Sequence, residues 1–190
     1  VIDLMLSNPD YPIHFASTIG RENFVGLDRF MDLQGMVFTL RRFTQEPQGK
    51  VDIERTRHLI ENVYKFRCVE DKSCYINGDT FRLLYNYTSI YFRMMMEARK
   101  EISAVRPMLS AFNSVSADAL TDSVEILKND LLRREKEAVE MGDYYLKKTL
   151  LQFPKEWRGY IIGADLYLAQ EKPKEAIELT NEYNERIVVS

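Results

Sequence analysis

Apolar residues recur at three- and four-residue spacings along most of this chain, the pattern of helices with one buried face. The first forty residues read differently. Val1 to Ser7 has the look of a helix tail, stopped by the turn signal Asn8-Pro9-Asp10. Tyr11 to Thr18 is β-rich and apolar at Ile13 and Phe15, which predicts a short strand ended by Gly20. Arg21 to Leu33 sets Phe24, Leu27, Phe30 and Met31 on one helical face, and Gly35 closes it. Met36 to Phe43 alternates and predicts a second strand. Strand, helix and strand in that order predict a two-stranded βαβ crossover with parallel strands. Two strands are marginal alone, so this element must pack on the helices that follow.

Thr44 to Lys50, with Pro47 and Gly49, is a loop. Asp52 can cap a helix running to about Phe66, with Ile53, Leu59, Ile60 and Val63 inward. Arg67 to Asp79 is a polar loop. Thr80 opens the strongest helix, whose Leu83, Leu84, Tyr87, Ile90, Tyr91, Met94, Met95, Ala98 and Ile102 form a wide apolar band. That helix is the expected centre of the core. Pro107 predicts a break between Val105 and Ser116. Ala117 to Phe153 reads as helix, with Gly142 as an interruption or turn and Pro154 as a stop. Lys155 to Gln170 and Pro173 to Arg186 are two shorter helices, Pro173 sitting in a first turn. The expected fold class is α+β, mainly α. Residues 1–50 form the small α/β element and 51–190 a helical body, of which 117–190 are tetratricopeptide-like, all in one compact unit.

Composition narrows the function. With 190 residues, 45% hydrophobic, 29% charged, ten Phe and eleven Tyr, the chain can bury a substantial core. A net charge of −3 with both signs interspersed argues against nucleic acid, which selects for a basic stripe. No run reaches the roughly 18–20 apolar residues that span a bilayer, and no signal peptide is visible. The chain opens at Val1 with helix-like sequence already under way, so it reads as a piece of a longer polypeptide with any targeting or membrane segment upstream. Cys68 and Cys74, five residues apart, allow a small disulfide loop in an oxidising compartment or two unrelated thiols.

The last two helices resemble a tetratricopeptide unit. Tyr160, Ala164, Tyr167 and Ala176 occupy its bulky, small, aromatic and alanine positions. Gly163 stands where Leu is usual and Thr180 where an aromatic is usual. Such a hairpin can present a binding surface or simply close a core. Trp157, the only tryptophan, fits a ligand anchor and, more readily, a ring packed on the preceding turn. Trp157, Tyr160, Tyr167 and Tyr183 are therefore the candidate binding residues. His14, in an apolar strand, is expected as a hydrogen-bonded core histidine. His58 and Glu61 lie near Glu54 on one helix face, but no further ligand converges, so no metal site is assigned. Asn86-Tyr87-Thr88 matches a glycosylation acceptor buried in the most apolar helix and is discounted. Met94, Met95 and Met96 are read as gap-filling core. Arg41 and Arg42 fall on opposite strand faces and cannot clamp one anion. No phosphate loop, nucleophile elbow or paired His–acid motif is present, so no catalytic residue and no cofactor are assigned.

The run VIDLMLSNPDYPIHFASTIGRENFVGLDRFMDLQGMVFTLRRF resembles the segment after the last membrane spans of a Bacteroidota family of multi-pass proteins, domain of unknown function 2723. Pro12 to Ala16, Gly26 to Phe30 and Gly35 to Arg42 match its strand, helix and strand stretches, and VDIERTRHLIENVYKFR with the helices after it follows in similar order. Tyr11 stands where Arg is commoner in that family, the Cys68 to Cys74 loop is not one of its features, and the helix from Ala117 exceeds its usual hairpin. The family's membrane part resembles protein O-mannosyltransferases of the GT-C type. The resemblance implies a soluble domain on the periplasmic side of a bacterial inner membrane, anchored through an N-terminal region not present here. In that setting the stacking helices, with no reactive cluster among them, lead to the expectation of a non-catalytic binding or scaffold module for a protein or peptide acceptor, or for another envelope protein. One alternative is a domain that lends sugar-binding residues, such as Ser17, Thr18, Arg21 and Asn23, to a membrane glycosyltransferase site, and another is a purely structural cap on the membrane part.

Overall fold

Gly35 decides the shape of the N-terminal sheet. Its φ of +59° makes a two-residue turn between β2 (Met31–Gln34) and β3 (Val37–Leu40), a conformation glycine adopts without steric cost. A side chain there would also collide with the hydroxyl of Tyr64, which accepts the Met36 N–H at 3.0 Å. Strand β1 (His14–Ala16) pairs with the other edge of β3, giving an antiparallel sheet of order β1-β3-β2. The parallel two-stranded crossover is therefore corrected to three antiparallel strands. Between β1 and β2 the chain forms two 3-10 turns, Arg21–Phe24 and Asp28–Phe30, instead of one helix. Gly26, at φ +78°, separates them. Met31 and Leu33 are buried while Asp32 and Gln34 are not, so the strand signal was a period of two hidden behind apolar residues at helical spacing.

The computed structural model describes the chain except residues 1, 9, 25, 42–49, 67, 68, 70, 72, 114–121 and 186–190. The sequence expectations at Arg42, Phe43, the Pro47–Gly49 loop, Cys68, Ser114 to Ala117 and Arg186 lie outside the described residues. What is described is mainly helical with one small sheet, the α+β class that the periodicity predicts. The chain divides into two units, Val1–Ile90 and Tyr91–Ser190, with the boundary inside the longest helix, α3 (Gly78–Asn113).

In the first unit, α1 (Ile2–Ser7) precedes the sheet. Asp52 caps α2 (Ile53–His58) as expected, its Oδ1 accepting the Arg55 N–H at 3.0 Å. The helix ends in a wider turn over Leu59–Val63, closed by the Tyr64 N–H donating to the Leu59 carbonyl at 2.8 Å. Thr56 is fully buried and bridges the sheet, accepting the Gly35 N–H at 3.0 Å. Phe24 packs edge-on against Phe15 and Phe38, and Tyr87 against Tyr64 and Phe66.

The second unit holds the rest of α3 with α4 (Asp122–Gln152), α5 (Trp157–Ala169) and α6 (Pro173–Tyr183); α3 meets α4 and α5, and α6 packs on α5. Tyr91, Met94, Met95, Ala98, Ile102, Val105, Tyr145 and Leu166 are wholly inaccessible to solvent. Of the three successive methionines, two are core and Met96 is exposed. Pro107 does not break α3. It sits on the exposed side, while Val105 and Leu109 on the other side bury against Leu131, and that packing offsets the lost hydrogen bond. Gly142 does not interrupt α4 either. A Cβ there would lie 2.8 Å from Leu166 and 3.2 Å from Ala98, so the glycine permits close helix approach. Arg106–Glu135 at 2.6 Å, Arg134–Glu101 at 2.7 Å and Arg99–Asp165 link α3 to its neighbours. Partly exposed pairs of this kind fix register more than they stabilise.

Candidate recognition surface

Helix α5, which packs on both α4 and α6, is apolar on nearly every side. Its first turn is held by Glu156, a buried carboxylate that accepts the Arg158 N–H and both Nε (2.6 Å) and Nη2 (3.1 Å) of the Arg158 guanidinium. That guanidinium lies over the Phe92 ring, 5.2 Å from its centroid. The inner side carries Gly159, Tyr160, Gly163 and Leu166, all buried. Gly163 is where the repeat pattern favours leucine, and the structure gives the reason. A Cβ at Gly163 would lie 2.5 Å from Leu146 on α4 and 2.7 Å from Leu179 on α6, whose side chains fill the space a larger residue would take.

The four candidate residues from the sequence fall in different environments. Tyr160 is buried, donates its hydroxyl to the Pro154 carbonyl at 2.9 Å and packs on Tyr183 with ring centroids 5.5 Å apart. Tyr183 is half-buried. Tyr167 is half-buried beneath the Lys172 ammonium, 5.9 Å from the ring centroid. Burial first, then the negative charges of Asp143, Glu175 and Glu182, push the Tyr167 phenol above its ordinary pKa. Only Trp157 presents a large share of its ring to solvent, 50%.

The structure adds two residues that sequence reasoning missed. Ile161 and Leu168 are each 57% exposed, and each follows one of the chosen tyrosines by a single position. With half-buried Ala164 between them, they continue the line that starts at Trp157. The offsets of four, seven and eleven residues place all four side chains within about 60° of the helix circumference. A helix with two apolar sides gives no periodic signal for which side its neighbours cover, so this line could not be separated from the core by pattern.

Three other places carry polar chemistry. On the sheet, Thr39 donates to Gln34 Oε1 at 3.1 Å, and Gln34 Nε2 donates to Asp52 Oδ2 at 3.1 Å. His14 Nδ1 lies 2.9 Å from the Thr39 hydroxyl, so His14 is hydrogen-bonded as expected but exposed rather than core. Asp32 on the same sheet pairs with Arg41 at 3.2 Å and accepts the Lys50 N–H at 2.9 Å. These groups satisfy one another. An open cavity of about 470 Å³ is lined by Val69, Asp71, Ser73, Cys74, Tyr75, Ile76 and Phe81. Cys74 is disulfide-bonded. Two hydrogen bonds from Ser73, the hydroxyl's the larger effect, hold the Asp71 carboxyl below its ordinary pKa. Among the sugar candidates, Thr18 is exposed, Ser17 Oγ is buried without a hydrogen-bond partner among the described residues, and Asn23 reaches only its neighbour Glu22 at 3.4 Å. His58 faces Asn62 at 3.4 Å, and no three His, Cys, Asp or Glu side chains converge among the described residues.

No family model, curated protein or solved structure matches the chain.

Proposed function

We propose that this chain is a non-catalytic protein-binding or scaffold module whose recognition element is the α5–α6 hairpin. The observation that supports it is the line of apolar side chains left uncovered on α5, Trp157, Ile161 and Leu168. Exposed apolar side chains also stand elsewhere in this unit, Leu151 on α4 and Ile177 on α6 among them; on α5 three of them fall in register along one face, and large exposed apolar positions in register mark interaction sites. The polar groups of the sheet, in contrast, are engaged with one another and leave less for a ligand. The setting we propose rests on the resemblance of residues 2–42 to the multi-pass family. The module would lie on the periplasmic side of a bacterial inner membrane, beside a glycosyltransferase-like membrane part, holding a polypeptide acceptor or an envelope protein. No helix among the described residues is long and apolar enough to cross a membrane.

Screening the chain against a displayed peptide library, with sugar titrations in parallel, tests the reading. Selected peptides that bind the purified chain, with no response to sugars, are expected. Sugar binding in the absence of any peptide hit would replace the reading with a contribution to a sugar site.

A further inference from the structure

We infer that the outer edge of β1 pairs with the same edge of a second copy of this chain, antiparallel and two-fold about His14. This goes beyond the α5–α6 reading and does not depend on it. Strand β1 meets β3 through every second residue. The Leu40 N–H donates to the Ile13 carbonyl at 3.0 Å, and the Ser17 N–H to the Met36 carbonyl at 2.9 Å. Alternation therefore turns the main chain of Pro12, His14 and Ala16 away from the sheet, and all three residues are exposed. The opposite edge of the sheet is closed. There the Leu33 N–H donates to the Lys50 carbonyl at 2.9 Å, and the Leu33 carbonyl accepts the Asp52 N–H at 3.0 Å. On β1 the His14 N–H and C=O and the Ala16 N–H have no partner among the described residues. Unpaired groups along an edge are a template for another strand.

Two irregularities of this edge choose the occupant. Pro12 has no N–H to give, and the Ala16 carbonyl is already engaged, accepting the Ile19 N–H at 3.1 Å. In an antiparallel pair centred on His14, position 14 faces 14 and position 12 faces 16. The missing donor of each copy then falls opposite the engaged acceptor of the other. Each His14 exchanges both main-chain bonds with its counterpart, and each Ala16 N–H donates to the Pro12 carbonyl across the axis. No outward group is left over. An ordinary extended peptide would set a carbonyl against Pro12 without a donor, and an N–H against Ala16 without an open acceptor. The side chains agree with the second copy. Ile13 faces Phe15 across the axis, twice, as close pairs of half-buried apolar residues on the face where Phe15 packs on Phe24. On the other face the small Ala16 stands opposite the Pro12 ring. A contact this short buries less than the roughly 800 Å² per partner of a stable dimer, so the pairing is weak and concentration-dependent.

Disulfide trapping reads the register. His14→Cys places two thiols across the axis with Cα atoms about 5.5 Å apart, inside the range of about 4.4–6.8 Å that a disulfide spans. Thr18→Cys, exposed and four residues further on, lies about 27 Å from its counterpart. Cys74 is already disulfide-bonded, and no free cysteine competes among the described residues. Under mild oxidation the full chain carrying His14→Cys should form a covalent dimer at least about tenfold faster than the chain carrying Thr18→Cys. Adding Ala16→Pro, which removes one outward N–H of an edge strand, should abolish that advantage with unchanged circular dichroism. In the unmodified chain, amide exchange at His14 and Ala16 should slow as protein concentration rises, while Phe15, which faces Phe38 on β3, stays constant. Equal trapping of the two cysteine variants, or exchange at His14 that ignores concentration, overturns the pairing. So does protection that appears only when an extended peptide is added, which would make this edge a site for a foreign strand.

Discussion

The Tyr91 hydroxyl donates to Gln152 Oε1 at 2.9 Å, joining residues 61 positions apart in a place that water barely reaches. The bond ties α3 to the last residue of α4, just before the chain turns into α5. In a low-dielectric interior, losing such a donor costs more than the bond's small net worth in water. Tyr91→Phe keeps the ring and its 5.8 Å contact with Tyr145 while removing the donor. It should lower stability by about 1–2 kcal/mol, read as a drop in the urea midpoint with an unchanged slope. A midpoint equal to that of the parent chain would show that the bond adds nothing.

Gly163 is expected to tolerate no side chain. Leu146 and Leu179 flank it from α4 and α6 and are themselves buried, so neither can swing into solvent. Gly163→Ala gains about 1 kcal/mol of helix propensity but overpacks the site by about 1–3 kcal/mol, so the net effect is a loss. Gly163→Leu, the residue of the repeat pattern, should keep the hairpin from closing. Gly78 is the control, since nothing lies near a Cβ built there, and Gly78→Ala should not destabilise and should gain up to about 1 kcal/mol of helix propensity. Thermal unfolding of the three variants gives the comparison.

Much of the fold was legible because local and tertiary forces agreed. The apolar band from Ile90 to Ile102 predicted the core of α3, Asp52 predicted a cap, and Pro173 stands in the first turn of α6. The misreadings share a cause. Pro107 and Gly142 are breakers only where packing does not overrule them, and here Val105, Leu109 and Leu166 do so. Arg21 to Leu33 held two periods at once, and the hairpin turn at Gly35 resolved them in favour of a strand. The exposed apolar line on α5 was illegible for a different reason. Exposure depends on which helices lie beside α5, and no residue on α5 encodes its neighbours.

Stability should fall in alkali partly through Tyr167. Its folded pKa is raised above the unfolded value of about 10. The fold therefore favours the protonated phenol. Its contribution is complete below the unfolded pKa and is lost as pH rises through the folded one. Tyr167→Phe removes a group that would otherwise ionise beside Asp143, Glu175 and Glu182. Urea midpoints followed from about pH 8 upward should decline less steeply above about pH 10 in the variant, and run parallel to the parent below it. Identical alkaline slopes would show that Tyr167 is not responsible.

The turn between α5 and α6 should be improvable at one position. Glu171 has φ +58°, the only positive φ at a non-glycine residue among those described. The hydrogen bonds explain why. The Lys172 N–H donates to the Tyr167 carbonyl at 2.9 Å and the Glu171 N–H to the Leu168 carbonyl at 3.0 Å, the paired closure of a helix end that requires a left-handed residue after the cap. Glutamate adopts that conformation at a cost of about 1 kcal/mol that glycine does not bear. The side chain offers little in return, being 83% exposed with one 3.4 Å contact to Arg106. Arg106 keeps Glu135 at 2.6 Å when Glu171 is removed. Glu171→Gly should therefore raise stability by up to about 1 kcal/mol, whereas Glu171→Val, β-branched at positive φ, should lower it. Differential scanning calorimetry would distinguish the two, and a destabilised glycine variant would mean that the Arg106 contact outweighs the backbone.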